Sequence, residues 1–173
     1  TFDFVIAKKV LTATGKKVYD GTLTLPATLT GVVAGEEVGA TITMTSKNID
    51  ATVQSIMLDG ADKDNYVIDE AKVVASITKK QISGLSVYKP YSGEKEFGAS
   101  FGSSVIVAGD DISAKITMES KNAGATVQSV TLVGTDKGNY TLSMEKVKVT
   151  IAQREIKIQN LEVEYNGKRN FLL

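Results

Sequence analysis

The chain contains no cysteine, no histidine and no tryptophan. Those absences remove the usual ligands and bases of zinc, haem, iron–sulfur, Cys–His and Ser–His–Asp chemistry. They leave the compartment open, because exported proteins also do without disulfides. An excess of one charge is missing too: Lys+Arg and Asp+Glu both total 20, so a nucleic-acid or anionic-membrane partner gains no electrostatic support. No apolar run approaches the ~20 residues of a membrane-spanning helix, no charged-then-apolar leader opens the chain, and no window carries a convincing 3.6-residue period. What is present is 42% hydrophobic residues, enough to exclude a disordered chain, in 173 residues that hold one mid-sized domain or two small ones. Thr1 and the apolar ending Phe171-Leu172-Leu173 read as cuts through a longer protein, so a monomeric fragment is expected.

The most specific signal is self-similarity. Val33-Ala34-Gly35-Glu36-Glu37-Val38 recurs as Val107-Ala108-Gly109-Asp110-Asp111-Ile112, a shift of 74. At the same shift Ser46-Lys47-Asn48 matches Ser120-Lys121-Asn122, and Ala51-Thr52-Val53-Gln54-Ser55 returns unchanged from Ala125 to Ser129. Gly60-x-Asp62-Lys63-x-Asn65-Tyr66 returns as Gly134-x-Asp136-Lys137-x-Asn139-Tyr140. The front of the unit is present three times: Ile6, Ile77 and Ile151 each open a segment leading to a Tyr-x-Gly turn, at Tyr19 and Gly21, Tyr91 and Gly93, and Tyr165 and Gly167. The expected organisation is the end of a preceding unit at 1–5, full units at 6–76 and 77–150, and the opening of a third at 151–173.

Period-2 alternation is widespread, as in Val147, Val149 and Ile151 against Lys146, Lys148 and Thr150. Turn signals recur between these runs. They predict five to seven strands per unit and no helix, with each unit large enough for its own modest core. The stretch 126–133 puts apolar residues on both faces, which predicts a doubly buried strand or a bulge near Gln128-Ser129. The predicted interior is Ile42, Met44, Ile56, Leu58 and Tyr66, with Ile116, Met118, Val130, Leu132 and Tyr140 at matching places. No linker separates the units. Alternation from Leu142 through Ile151 to Ile158 predicts one continuous strand across a stiff joint, with Ile6, Ile77 and Ile151 buried there.

The order Ile-Thr-Lys-Lys, Tyr-(Asp/Ser/Asn)-Gly, Val-Ala-Gly-acidic-acidic, Ser-Lys-Asn and Gly-x-Asp-x-x-Asn-Tyr resembles the YDG and MBG-type tandem repeats of large bacterial surface proteins. The resemblance implies tandem small β-sandwich units, immunoglobulin-like or related, in an elongated arrangement. It also implies an extracellular, adhesin-like setting at a bacterial cell surface. Ser92 and Asn166 stand where the signature has Asp, which argues against a chemical role for Asp20.

Candidate sites compete with structural roles. Asp59, Asp62 and Asp64, or the pairs Glu36-Glu37 and Asp110-Asp111, are calcium candidates by residue type. Their spacing fails the EF-hand pattern and the second unit keeps only Asp136, so solvated turns are the competing reading. Asn65-Tyr66 and Asn139-Tyr140 suit a sugar-binding edge or, alternatively, a turn-capping Asn beside a core Tyr whose hydroxyl is tied to backbone. The Tyr-x-Gly tyrosines divide the same way. Ser104, Ser120 and Ser129 have no histidine partner, so catalysis and cofactors are not expected. A Lys–Asn or Lys–Asp isopeptide bond would need a buried lysine beside an acidic catalyst, whereas Lys47-Asn48 and Lys121-Asn122 read as hairpin turns. Two functions remain: a stalk or spacer presenting a functional tip, or an adhesive module gripping a host or extracellular glycan or protein.

Overall fold

A computed structural model describes residues 5–157, as strands joined by tight turns. The first repeat contributes β1 (Lys9–Val18), β2 (Thr24–Pro26), β3 (Thr28–Thr30), β4 (Gly39–Met44), β5 (Val53–Asp59) and β6 (Tyr66–Thr78). The second contributes β7 (Lys80–Gln81), β8 (Leu85–Pro90), β9 (Glu96–Ser100), β10 (Ser113–Met118), β11 (Val127–Val133), β12 (Tyr140–Thr141) and β13 (Val147–Ala152). Helical geometry among the described residues is confined to three single 3₁₀ turns, at Lys63–Asn65, Lys137–Asn139 and Met144–Lys146. The chain is all-β. Tyr165, Gly167 and most of the expected third unit lie outside the described residues, as does most of the preceding unit's end expected at 1–5.

In the first repeat, one sheet has the order β3-β1-β6 and the other β2-β4-β5. The β4–β5 pair is an antiparallel hairpin, whereas β1 and β6 run parallel, from Lys9 opposite Tyr66 to Val18 opposite Thr78. The second repeat has the sheet β11-β10-β9 and two parallel pairs, β7 with β12 and β8 with β13. Those two pairs replace the single long β1–β6 ladder. The reason is visible in the first repeat. There Leu11 pairs with Ile68 but Ala13 with Val73, so β6 carries a four-residue excursion that the Asp69–Lys72 ion pair spans at 3.0 Å. The second repeat winds the equivalent residues into the 3₁₀ turn at Met144–Lys146, with the Lys146 amide donating to Ser143 at 3.0 Å. The uninterrupted run from Leu142 to Ile158 expected from alternation is therefore corrected: the turn breaks it, and β13 ends at Ala152. Ile156 beyond it is 82% exposed, and Ile158 lies outside the described residues.

The strand Val127–Val133 carries a bulge. Thr117 pairs with Ser129 but Met118 with Val127, which leaves Gln128 unpaired. Gln54 stands out identically, between Val53 opposite Met44 and Ser55 opposite Thr43. The extra residue turns Val127 and Val130 onto one face despite their odd spacing, and both pack against the same core.

Ile42, Met44, Tyr66, Ile116, Met118 and Tyr140 are buried, as expected. Ile56, Leu58, Val130 and Leu132 are only half-buried. They lie on β5 and β11, which are edge strands with a hydrogen-bonded neighbour on one side alone. Ile77 and Ile151 are buried at 4% and 5% exposure, but Ile6 is 96% exposed, against the expectation. Separate cores are also corrected. Ile151 packs with Leu85, Ala114, Ile116 and Met118 inside the second repeat. The other core joins Tyr19, Leu25, Ile42 and Met44 of the first repeat to Ile77, Ile82, Ile112 and Tyr140. One hydrophobic cluster thus spans the junction.

Candidate functional site: the junction between the repeats

The backbone crosses the junction almost without leaving extended geometry. β6 ends at Thr78, whose carbonyl accepts from the Tyr19 amide at 2.8 Å, and one residue later β7 pairs with β12. The Ile82 amide then donates to Thr141 at 2.8 Å. One segment is thereby stitched first to the first repeat's sheet and then to the second's.

Side chains complete the joint. Asp110, whose carboxylate is fully enclosed, accepts hydrogen bonds from the Tyr19 and Tyr140 hydroxyls, each at 2.7 Å to Oδ2. Its Oδ1 receives Lys47 Nζ at 2.7 Å, and Asp136 lies 3.6 Å from the same ammonium. Tyr19 and Tyr140 meet edge to face, with ring centroids 5.4 Å apart. Beside them the amide of Asn139, itself 4% exposed, donates to Asn48 Oδ1 at 2.9 Å and accepts from the Ile49 amide at 3.1 Å. Tyr19, Lys47, Asn48 and Ile49 belong to the first repeat, and the remaining groups to the second. The Ser-Lys-Asn hairpin loop is therefore a turn that also reaches across to the next repeat.

Electrostatics follow from this geometry. Burial pushes Asp110 toward protonation, but hydrogen bonds from Lys47, Tyr140 and Tyr19 outweigh it and hold the carboxyl below its usual range. The same contacts raise Lys47 above the ordinary lysine value, chiefly through its hydrogen bond to Asp110. Burial, then hydrogen bonding to Asp110, raises both Tyr19 and Tyr140. Amide condensation of Lys47 with Asp110 would need a neutral amine and a protonated acid. The contacts favour the opposite states, a charged pair.

The signature glycine has two reasons to be glycine. Gly21 sits at φ 81°, where a β-carbon is strained, and such an atom would lie 2.6 Å from Val107 Cγ1 of the second repeat. Gly93, its counterpart, has φ 80° but only the Tyr91 hydroxyl nearby, at 4.0 Å. Asp20 belongs to the local turn, accepting from Lys17 Nζ at 2.7 Å and from the Thr22 amide at 2.9 Å. Burial opposes these contacts, yet they hold its pKa down to about 2. In the second repeat Ser92 replaces Asp20, and Glu94 supplies the carboxylate instead, 2.9 Å from Lys89 and 3.2 Å from the Ser92 hydroxyl.

The calcium candidates do not converge. Asp62 accepts from the Glu37 amide at 2.8 Å while its own amide donates to the Glu37 carbonyl at 3.2 Å, and Asp136 makes the same reciprocal clamp with Asp111. Asp59 and Asp64 are exposed, and no three acidic groups among the described residues are placed to hold a metal ion. Tyr66 and Tyr140 bury their rings, and their hydroxyls accept from the Val33 and Val107 amides at 3.0 Å and 2.8 Å. Asn65 is exposed while Asn139 is enclosed. Sequence reasoning did not single out Lys47 with Asp110 as a pair. The signal was there: a lysine and an acidic residue recur at fixed places in both copies, as Lys47 and Lys121 and as Glu36 and Asp110.

Neither the curated proteins nor the solved structures contain a match to this chain. The model of the YDG domain matches twice, at residues 7–74 and 78–149. The gap between the matches, 75–77, lies near the end of β6, just before the chain passes to β7. The two matches cover most of the sequence, and the chain belongs to the YDG domain family as a tandem pair.

Proposed function

We propose that this tandem pair is part of a structural stalk or spacer in a bacterial surface protein, holding a functional tip away from the cell. In this reading the repeats are small β-sandwich units, immunoglobulin-like or related, set end to end in an elongated array outside the cell. The observation that carries the reading is the joint. A spacer needs its units to keep their relative angle, and here a shared apolar core, a two-repeat hydrogen-bond network around Asp110 and a handed-over strand all cross the boundary. Small-angle scattering tests it. The native chain should give one extended, well-defined envelope, and inserting Gly-Gly-Ser after Lys79 should broaden it. A native chain that already samples many bent shapes would refute the spacer.

An adhesive role has one observation in its favour, the 72% exposure of Tyr88 on β8. Binding of host glycans or proteins that is lost on Tyr88→Ser would support that reading over the spacer.

A further inference from the structure

Among the described residues, the first repeat carries uncovered the same face by which the second repeat receives its neighbour. At the shift of 74, Asp110 corresponds to Glu36, Val107 to Val33, Asn139 to Asn65 and Tyr140 to Tyr66. The arrangement is already built. Tyr66 donates to Glu36 as Tyr140 donates to Asp110, and the Val33 amide donates to Tyr66 at 3.0 Å as Val107 does to Tyr140. What differs is cover. Ile77 and Asn139 are about 4% exposed at the filled joint, whereas Ile6 is 96% exposed, Val33 46% and Asn65 exposed. Ile6, Val33, Glu36, Asn65 and Tyr66 line an open hollow of about 470 Å³. At the other end of the pair, Tyr91, Lys121 and Asn122 repeat the Tyr19, Lys47 and Asn48 that fill the joint, and Lys121 and Asn122 are exposed.

We infer that the Glu36–Tyr66 face is a docking socket for a further YDG unit, seated end-on as the first repeat sits on the second. Its occupant is recognised by chemistry: a Tyr-x-Gly tyrosine whose hydroxyl reaches the Glu36 carboxylate, and a Ser-Lys-Asn loop whose ammonium pairs with it. A neutral or acidic residue at the lysine position would leave Glu36 unpaired beneath the new unit and disfavour that neighbour. The pairing of lysine on one face with an acidic residue on the next therefore sets which units stack and in which direction. The socket rests on the observed joint and not on the stalk reading.

The test replaces residues 1–5 of the chain with an added copy of residues 5–76, so that its Ser76 runs into Ile6 as Ser76 naturally runs into Ile77. Thermal melting is then followed in a double-mutant cycle between Lys47→Met in the added copy and Glu36→Gln in the original first repeat. Each single change should lower the melting temperature of the extended chain by about 2–4 °C, the two together by little more than one alone. Glu36→Gln should leave the native chain nearly unchanged. Strictly additive effects, or an equal effect of Glu36→Gln with and without the added repeat, would overturn the socket. If Glu36→Gln prevents folding of the extended chain, Glu36→Asp copies the Asp110 geometry. It should then keep the parent melting temperature and the coupling to Lys47, and loss of that coupling would count against the socket. Coupling at Glu36 together with a bent, variable scattering envelope would retain the socket and remove the stalk.

Discussion

Tyr19 donates its hydroxyl to Asp110 at 2.7 Å across 91 positions of sequence, and the two residues belong to different repeats. The contact ties the signature turn of one unit to the acidic turn of the next. The tyrosine is buried to 1% exposure, which is the core alternative of the two readings its sequence allows.

Asp110→Ala should therefore destabilise the pair more than any exposed acidic substitution. It removes the acceptor of two tyrosine hydroxyls, of which Tyr140 keeps its bond from the Val107 amide, and leaves Lys47 with the more distant Asp136 as its carboxylate partner among the described residues. The expected loss is about 2–4 kcal/mol, since Lys47 keeps part of its hydration. Chemical denaturation against Asp64→Ala, an exposed control, measures the difference. Equal midpoints would show that the network contributes nothing.

The same network should make stability depend on pH at both extremes. The Asp110 carboxyl titrates below its unfolded value, so its contribution is present above about pH 4 and fades as pH falls through the lowered folded value. Tyr19, Tyr140 and Lys47 are raised, so theirs is full below about pH 10 and fades as the unfolded chain loses those protons first. A melting-temperature plateau between these limits is expected. Asp110→Asn should flatten the acid limb, and a native-like limb in that variant would assign acid sensitivity elsewhere.

Gly21→Ala and Gly93→Ala separate backbone strain from contact. Both positions have positive φ, so each costs about 1–2 kcal/mol for the left-handed backbone. Only Gly21 adds a collision with Val107. The Gly21 variant should melt several degrees below the Gly93 variant, and matched melting would mean that the junction relaxes freely around the new methyl.

Core substitutions should follow burial and not hydrophobicity alone. Met118→Ala removes a side chain with 0% exposure and should cost about 2–5 kcal/mol. Leu132→Ala, on the half-buried edge strand β11, should cost less than that range. Comparable losses would show that β11 is more enclosed than its edge position implies.

Much of this was legible in the residues. The repeat register located the copies, period-2 alternation established the strands, and the odd apolar spacing around Gln128 left two options, of which the bulge is the one formed. The breaks at Ile82-Ser83-Gly84 and Met144–Lys146 were not legible, because a parallel ladder between distant strands leaves no local pattern. The shared core was hidden for a related reason. Tyr19 lies near the front of one unit and Ile77 opens the next, and only the pairing of β6 with β1 and β7 with β12 brings their side chains into one cluster. Ile6 shows the limit of arguing by equivalence. It matches Ile77 in sequence, yet burial at that position depends on the unit packed against it.

The strand that enters the first repeat and the strand that leaves it are parallel neighbours. Tension applied along the chain would pull β1 and β6 in opposite directions lengthwise, loading nine registered residue pairs together instead of peeling them apart singly. In the second repeat the pairs β7–β12 and β8–β13 take the same load in two shorter blocks. Each repeat is thus arranged as a shear clamp, and the 3₁₀ turn at Met144–Lys146 marks the point at which the second clamp divides.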